Sequence, residues 1–394
     1  MMKINKLPKN ILVLGLVSFL NDVASEMIYP IVPIFLSSVL GVPTTIIGLI
    51  EGISDATSNL LMAVSGWVSD KVHKRKIFVE IGYSFAAISH LLMSLAFSWP
   101  MVLLSRVTSR TGKGIRTAAR DAIISESSEK NTRGLSFGIH RAMDDLGGVV
   151  GPLIAIWLLG LFTNQYRTLF IIAFLPTIAG VGLIWYFIKD TKFDAKKDER
   201  IKFDWSKTNI NFKIFLLISF IFALGNSSEA FMILRAQNLG LSVQLTIFTY
   251  VLFNITNSLF SLPAGYIADK IGSRKVLFTG FLIFAAVYWS FGYINTSRLV
   301  WILFPLYGIF LAFTDGVAKS YLSQLVPHEI LASAFGVYQT LLGVAALLSS
   351  TIAGWLWSYK GPSSPFYFGA FMAIIASILF VTLTKQSRTK LIAS

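Results

Sequence analysis

One stretch of the chain occurs twice, first as Gly66-Trp-Val-Ser-Asp70-Lys71-Val-His73-Lys74-Arg75-Lys76 and later as Gly265-Tyr-Ile-Ala-Asp269-Lys270-Ile-Gly272-Ser273-Arg274-Lys275. Each copy lies between two long apolar runs, and the copies are about half the chain apart. A repeat of this kind indicates a duplicated structural unit. A glycine lets two membrane helices approach closely, and an aspartate at a helix end can meet positive residues beyond it. We therefore predict a pair of conformational latches formed by Gly66, Asp70, Lys71 and Arg75 and by Gly265, Asp269, Lys270 and Arg274.

The composition places this chain in a membrane. It has 394 residues, of which 54% are hydrophobic, and a mean hydropathy of +0.67, which excludes a soluble protein with a solvated surface. The net charge of +14 suggests nucleic acid at first sight, but the positive residues concentrate in alternate loops, so we expect no nucleic-acid partner. The sequence contains no cysteine and therefore no thiolate metal site; we expect no metal and no cofactor. The first apolar run lacks the cleavage site of a signal peptide.

About twelve apolar runs are long enough to cross roughly 30 Å of hydrocarbon as helices. They are predicted at about 11–38, 45–68, 77–98, 101–124, 134–160, 167–189, 213–237, 243–267, 275–294, 298–322, 331–358 and 365–385. A polar, lysine-rich linker at 191–212 divides an N-terminal half, 1–190, from a C-terminal half, 213–394. The positive-inside rule places both termini and the linker in the cytoplasm, with the chain in a bacterial-type inner (plasma) membrane.

The repeated stretch resembles the loop between helices 2 and 3 of the major facilitator superfamily, which recurs between helices 8 and 9. The family form is Gly-x-x-x-Asp-Arg/Lys-x-Gly-Arg-Arg/Lys-Arg/Lys, from which this chain departs at His73 and Ser273. Helices 5 and 11 repeat as well, because Phe137-Gly138-Ile-His140-Arg141 matches Phe335-Gly336-Val-Tyr338-Gln339. The resemblance implies an all-α membrane protein with two pseudo-symmetric six-helix halves. It also implies a secondary transporter that works by alternating access and is not an enzyme.

Charged side chains within a membrane span are costly, so they mark candidate functional sites. Four acids are predicted to couple transport to protons: Asp22, Glu26, Asp144 and Asp145. Residues predicted to line a substrate cavity are Asn21, Glu51, Asp55, Arg106, Arg110, Lys113, Arg116, His140, Arg141, Asn226, Glu229, Asn254, Asn257, Asp315, Tyr338 and Gln339. Proton transfer requires a carboxyl group that changes charge near the working pH, and we choose Asp22 first, then Glu26 and Asp145.

Helix 4 carries five cations, and four of them, Arg106, Arg110, Lys113 and Arg120, recur at a spacing that puts them on one helix face. At about 1.5 Å of rise per residue, Arg110 and Asp22 should both lie near mid-membrane. We predict that Arg110 pairs with an acid of helix 5 or helix 1, since an unpaired arginine there would be expensive. An open alternative is that Glu51 and Asp55 of helix 2 neutralise the helix 4 cations.

Two further patterns bear on the mode of transport. Arg106-Val-Thr-Ser109-Arg110-Thr-Gly112-Lys113-Gly114 resembles a family pattern whose arginine is linked to proton transfer, although Ser109 and Arg110 replace Gln and Gly. On helix 5, Gly138, Gly147, Gly151 and Pro152 partly match the pattern of exchangers in the superfamily; ordinary helix packing is the alternative explanation.

The function expected from these patterns is proton-coupled efflux, by antiport, of a small organic or toxic compound. The alternative is proton-coupled uptake of an anion such as a carboxylate, a phosphate ester or a siderophore, because clustered arginines suit such groups. A membrane enzyme, a channel and a receptor are the rival classes. The expected partners are a small-molecule substrate, protons and membrane lipid, and we expect a monomer.

Overall fold

The computed structural model describes residues 8–72, 74–129, 132–163, 165–190, 208–327 and 330–384. Within these ranges the chain forms twelve spans and no β-strand, which confirms the predicted all-α fold. In the N-terminal half, helix 1 consists of Lys9–Ile28, Val32–Ile34 and a π-helix at Phe35–Val39, and it is followed by Thr44–Val72 (helix 2), Arg75–Ser94 (helix 3), Trp99–Ser127 (helix 4), Arg133–Leu161 (helix 5) and Tyr166–Phe187 (helix 6). In the C-terminal half, helix 7 consists of Ile210–Gly225 and Ala230–Asn238, and it is followed by Val243–Ile271 (helix 8), Ser273–Tyr293 (helix 9), Val300–Ser323 (helix 10), Leu331–Lys360 (helix 11) and Ser364–Leu383 (helix 12). A 3-10 turn at Ser297–Leu299 precedes helix 10.

Helices 1 and 7 are broken, where the sequence predicted continuous helices. Helix 1 stops at Ile28, immediately before Tyr29 and Pro30, because proline has no N–H to donate and its ring clashes with the preceding turn. Helix 7 stops at Gly225, and its second segment begins at Ala230, whose backbone N–H bonds the Ser228 hydroxyl at 3.3 Å. Both breaks leave polar backbone groups inside the bundle without a helical hydrogen bond. In a membrane protein, such backbone is tolerated only where it is buried in protein or lines a cavity.

Helix 7 begins at Ile210, three residues before the predicted start, and Asn209 caps it by accepting a hydrogen bond from the Asn211 N–H at 3.0 Å. The last residues of the predicted linker are therefore helical. Residues 191–207, which make up most of that linker, lie outside the described residues.

Ten helical spans in the described part of the chain are apolar and long enough to cross a membrane. Helices 2 and 4 are equally long, at 29 residues each, but carry more charge. Large apolar side chains are exposed on the outside of the bundle; Leu262, for example, is 85% exposed. An apolar exterior around charged helices suits a protein whose polar groups face inward and whose surface contacts lipid.

The two halves touch at one end of the bundle and separate at the other. At the end away from the repeated loops, the backbones of helices 2 and 11 are in direct contact at two glycines. A Cβ atom added at Gly48 would overlap the Ser350 carbonyl, and a Cβ atom added at Gly354 would overlap the Thr44 carbonyl.

Toward the repeat-loop end, the described hydrogen bonds between the halves reach no farther than Ser258 with Asp145 and Gln339 with Met62, each at least eight residues from the repeat-loop end of its helix. Beyond them, a Cβ added at Gly138 of helix 5 or Gly265 of helix 8 would meet no described atom within 4 Å. The structure is therefore open toward the repeat-loop end and closed at the opposite end.

Candidate functional site

A cavity of about 270 Å³ lies between the halves, and we call it the charged cavity. It is bounded by helices 1, 3, 4, 7 and 8. Eight of the predicted site residues line it: Asp22, Glu26, Arg106, Arg110, Lys113, Arg116, Glu229 and Asn254. Residues from helices far apart in sequence thus meet in one space, as the charge distribution predicted.

A second cavity, of about 300 Å³, lies mostly within the C-terminal half, and we call it the aromatic cavity. Its apolar lining includes Phe215, Phe222, Phe281 and Phe310. Phe222 and Phe281 stack with their ring centroids 4.2 Å apart. Four predicted site residues line this cavity instead of the charged one, namely Asn226, Asp315, Tyr338 and Gln339.

Two arginines of the charged cavity are neutralised by helix 2. The Arg106 guanidinium lies 2.5 Å from the Glu51 carboxylate, which is 1% exposed, and Arg110 lies 3.0 Å from Asp55. The prediction that Arg110 pairs with helix 5 or helix 1 is therefore wrong. Helix 2 packs closely against helix 4, with Gly114 of helix 4 directly against helix 2, so the nearest acids are those of helix 2.

Tyrosines join the carboxylates of the two halves across the charged cavity. Tyr29, at the helix 1 break, donates to Glu229 at 2.8 Å, and Tyr250 of helix 8 donates to Glu26 at 2.9 Å. The Tyr29 ring also lies beneath both paired guanidiniums, with its centroid 5.1 Å from Arg106 and 6.0 Å from Arg110. Glu26 and Glu229 each hold a hydroxyl from the opposite half, so these carboxylates contribute to the contact between the halves.

Further hydrogen bonds join the halves around and below the charged cavity. The Asn254 amide donates to the Gly148 carbonyl at 2.8 Å, and the Ser258 hydroxyl donates to Asp145 at 3.2 Å. The Ser228 hydroxyl donates to Glu51 at 3.3 Å. Helices 5 and 8 therefore contact each other near mid-membrane before they diverge.

The polar group on helix 5 lies outside both cavities. Asp144 lies 3.8 Å from Arg120 and 3.9 Å from His140, and Asp145 pairs with Arg141 at 3.1 Å. None of these helix 5 residues lines the charged cavity, although sequence reasoning predicted His140 and Arg141 there. Arg120 also turns away from that cavity, donating to Ser18 at 3.2 Å.

Three other predicted site residues stand behind the cavity walls. Asn21 is 1% exposed and donates to Asp22 at 3.0 Å, so it supports a cavity residue without lining the cavity. Glu51 and Asp55 act through the arginines that they pair with. A fourth, Asn257, lines neither cavity, and its backbone carbonyl accepts from Ser261 at 2.6 Å.

The side chains of Gly66, Asp70 and Lys71 lie outside the described residues, so the first latch is described only through Arg75, which pairs with Glu126 at 2.9 Å. In the second copy Lys270 lies 4.4 Å from the Tyr266 ring centroid, and Arg274 donates to the Val381 carbonyl at 3.1 Å. Gly272 separates helices 8 and 9 at a φ of 95°, which explains the glycine at this position. Asp269 and Gly265 lie at the open end of the bundle.

Sequence reasoning missed the tyrosines of the site. Among the described residues, Tyr29, Tyr250 and Tyr307 donate three of the four side-chain hydrogen bonds to carboxylates that line the charged cavity, and the Tyr307 hydroxyl is shared between Asn226 and Glu229. A tyrosine directly before Pro30 was a usable signal, because a helix break brings its neighbours into the bundle interior. The other two offered no pattern that distinguishes them from lipid-facing aromatic residues.

Comparison with known proteins agrees with this architecture. The family model of the Major Facilitator Superfamily matches residues 14–233 and 215–393. The chain is 40% identical to an uncharacterised MFS-type transporter of Methanocaldococcus jannaschii, over 95% of each chain. It is 21% identical to the proton-coupled antiporter flippase LtaA of Staphylococcus saprophyticus, over 97% of each chain, and 23% identical to the quinolone resistance protein NorA of Staphylococcus aureus, over 97% of this chain and 98% of that one.

Solved structures share the fold at low sequence identity. The nucleoside transporter NupG superimposes with a TM-score of 0.76 at 15% identity, over 96% of this chain and 99% of that one. A bacterial homologue of the lysosomal transporter Spinster, in an inward-facing and occupied conformation, gives a TM-score of 0.77 at 16% identity, over 94% of this chain and 95% of that one. With two six-helix halves around a central cavity, and a family model matching nearly its full length, this chain belongs to the major facilitator superfamily of membrane transporters.

Proposed function

We propose that this transporter couples the export of a small organic compound to the entry of protons, by antiport. The observation that carries the proposal is that Asp22 and Glu26 line the charged cavity without a cation partner among the described residues. Two similar proteins point the same way, since LtaA is named a proton-coupled antiporter and NorA a resistance protein. A carboxyl group that faces a water-filled cavity and is not tied to an arginine can exchange its proton with the solvent.

Asp22 is the first choice for the proton carrier. The charged groups around it are Asp144, Arg116, Lys113 and Glu26, and its described hydrogen bond is from Asn21. Glu26 has Lys113, Arg110 and Arg106 in its surroundings, and its carboxylate holds the Tyr250 hydroxyl of the other half. Because a hydrogen bond to an ionised carboxylate is stronger than one to a neutral carboxyl, a proton on Glu26 weakens this contact between the halves. Proton binding is thus linked to the rocking of the halves.

The orientation belongs to the same proposal. The basic residues of the repeated loops place the repeat-loop end in the cytoplasm of an inner (plasma) membrane, by the positive-inside rule. In this orientation both termini are cytoplasmic, and the cavity is open to the cytoplasm, where an exported compound would enter. The proposal includes a monomer that works through the charged cavity between its two halves.

The test is transport by purified protein in proteoliposomes with an imposed pH gradient and an internal pH indicator. We expect substrate to move against the proton flux, and Asp22→Asn to abolish gradient-driven accumulation while leaving exchange of substrate across the membrane intact. Glu80→Gln is the matched control, because Glu80 pairs with Lys76 on helix 3 and lies outside the charged cavity. Gradient-driven accumulation that persists in Asp22→Asn would move the carrier to another acid, and protons that flow with the substrate would contradict antiport.

A further inference from the structure

Two cations of helix 4 line the charged cavity without an ion-pair partner among the described residues. Arg116 is 7% exposed and stacks on the Tyr83 ring with a guanidinium-to-centroid distance of 4.5 Å. Its Nε atom is buried and has no hydrogen-bond partner in the described part of the chain; the same is true of Arg106 and Arg110, so the missing ion pair is what distinguishes Arg116. Lys113 lies one turn away, lines the same cavity, and makes no ion pair or side-chain hydrogen bond with any described residue. A buried guanidinium without an anion is costly, so this pair is set up for a negative group that comes from outside the protein.

Arg106 and Arg110 show what neutralised cations look like in the same cavity. They lie 2.5 Å and 3.0 Å from Glu51 and Asp55. At Lys113 and Arg116, by contrast, no described carboxylate oxygen lies within the 4.0 Å of an ion pair. The difference separates a structural pair of arginines from a pair of cations that is available to a ligand.

The same cavity also presents carboxylates without a cation partner among the described residues. Asp22 and Glu26 lie one turn apart on helix 1, and both line the cavity. Lys113 is within electrostatic reach of both, yet it pairs with neither. A third carboxylate of the cavity, Glu229 of helix 7, accepts two tyrosine hydroxyls. The cavity therefore holds charges of both signs without an ion pair among the described residues, with cations on helix 4 and the nearest carboxylates to Lys113 on helix 1.

The aromatic cavity adjoins this site at the helix 7 break. Tyr307 donates one hydroxyl to Asn226, which lines the aromatic cavity, and to Glu229, which lines the charged cavity. The Tyr307 ring contacts Phe310 of the aromatic cavity, with centroids 5.2 Å apart. An apolar or aromatic body that extends from the charged cavity would meet phenylalanine rings here.

We infer that the substrate is a zwitterion with an aromatic or apolar body, whose anionic group is bound by Lys113 and Arg116 and whose cationic group is bound by Asp22 and Glu26. This inference rests on the proposed antiport, because a cationic group on these carboxylates displaces the proton that they otherwise carry. A purely anionic substrate would instead favour retention of the proton and would carry it along. A purely cationic substrate would leave Lys113 and Arg116 unpaired.

The experiment measures binding to purified protein in detergent by isothermal titration calorimetry, with ligands that share one ring. Naphthylalanine carries both charges, naphthylpropionate only the negative one and naphthylethylamine only the positive one. Aminomethylnaphthoate, whose charged groups lie at opposite ends of the ring, extends the distance between the charges, with methylnaphthoate as its anionic counterpart. We expect one of the two zwitterions to bind at least about tenfold more tightly than its single-charge analogues, since a hydrogen bond to a charged group is worth more than one kcal/mol.

Substitutions assign each charge to its site. Lys113→Gln and Arg116→Gln should lower zwitterion affinity about tenfold and should not lower naphthylethylamine affinity, because each removes the partner of the ligand carboxylate and none of the partners of its amine. Asp22→Asn should lower zwitterion affinity and spare naphthylpropionate. Arg298→Gln is the matched control, because Arg298 is exposed at the opposite end of the bundle, away from both cavities. Lys113 is exposed to the cavity, so its variant is expected to fold even if that of Arg116 does not.

A single-charge ligand that binds as tightly as both zwitterions would overturn the inference, as would zwitterion affinity that is unchanged in Lys113→Gln and Arg116→Gln. Because binding in detergent needs no gradient, this outcome is separate from the fate of the proposed antiport. Zwitterion binding with no proton-driven flux would contradict only the antiport, and proton-driven flux of a non-zwitterion would contradict only the inference.

Discussion

The two halves of the transporter share one chain path but differ in chemistry. Both begin with a broken helix, and the repeated loops are offset by 199 positions. With this offset, Glu51 of the N-terminal half corresponds to Tyr250 of the C-terminal half, and Asp55 corresponds to Asn254. Glu51 and Asp55 form ion pairs with arginines of their own half. Tyr250 and Asn254 are uncharged and donate hydrogen bonds to the N-terminal half. The two halves thus share one geometry, and at these positions the arginine-binding acids occur in the N-terminal half only.

The interiors of the two halves differ in the same way, with more charge in the N-terminal half and more aromatic side chains in the C-terminal half. Helix 10 contributes one acid, one lysine and four uncharged residues to the aromatic cavity, namely Asp315, Lys319, Phe310, Leu311, Thr314 and Ala318, whereas helix 4 contributes four cations to the charged one. Among the described residues, the C-terminal half has one large apolar cluster that is rich in phenylalanine and tyrosine, and the N-terminal half has two smaller ones. The comparison suggests a division of labour in which the N-terminal half carries charge recognition and the C-terminal half supplies apolar contact.

The largest effect is expected from loss of a charged partner in the N-terminal half. Glu51→Ala leaves Arg106 buried without its anion, which should destabilise the fold by about 3–5 kcal/mol. Tyr250→Phe, at the matching position of the C-terminal half, removes one hydrogen bond to Glu26 and should cost about 1.5–3 kcal/mol at most. The measurement is the melting temperature of the purified variants in detergent. Equal losses at the two positions would show that the halves do not differ as described.

An intermediate effect is expected on the balance between conformations. Gly48→Ala places a methyl group against the Ser350 carbonyl and should disfavour the closed opposite end by about 1–3 kcal/mol. The matched control is Gly148→Ala on helix 5, where the nearest atom, Nδ2 of Asn254, would be 3.9 Å from the new Cβ. The repeat-loop end should then be closed more of the time in the Gly48 variant alone.

Labelling of a single cysteine measures this shift. The chain has no cysteine of its own, so Gly138→Cys, at the open end of helix 5, reports alone. A membrane-impermeant maleimide added from the repeat-loop side should react several-fold more slowly when Gly48→Ala is present. Unchanged labelling would mean that the helix 2 and helix 11 contact does not hold this state.

The smallest effect on stability is expected at the latch. Asp269 is exposed and makes no ion pair with the described residues in this open state, so Asp269→Asn should change the melting temperature little. Transport should nevertheless slow in Asp269→Asn and Asp70→Asn with little change in substrate affinity, if the two aspartates stabilise the state that is closed at this end. Substrate binding lost as steeply as transport would show that they contact substrate, and unequal effects would extend the asymmetry of the halves to the latches.

Much of this molecule follows from its sequence for a simple reason. Hydrocarbon has no hydrogen-bond partners for the backbone, so a long apolar run must be a helix, and its approximate bounds can be read from composition. The repeated loops determined the symmetry of the two halves, and the cost of burying charge marked Asp22, Glu26, Arg106, Arg110, Lys113 and Arg116 as candidates for the interior. The structure places all six in one cavity.

Only the tertiary structure determines which side chains form ion pairs and hydrogen bonds with each other. Helical periodicity gives the face on which Arg110 lies but not the helix that packs against that face, so the choice of Asp55 over Asp22 or Asp144 depended on contacts between helices. The same is true of Tyr29 and Tyr250, whose carboxylate partners lie 200 and 224 positions away in the sequence. Pairing energies depend on distances of a few ångströms between segments that are remote in sequence, and no local pattern encodes those distances.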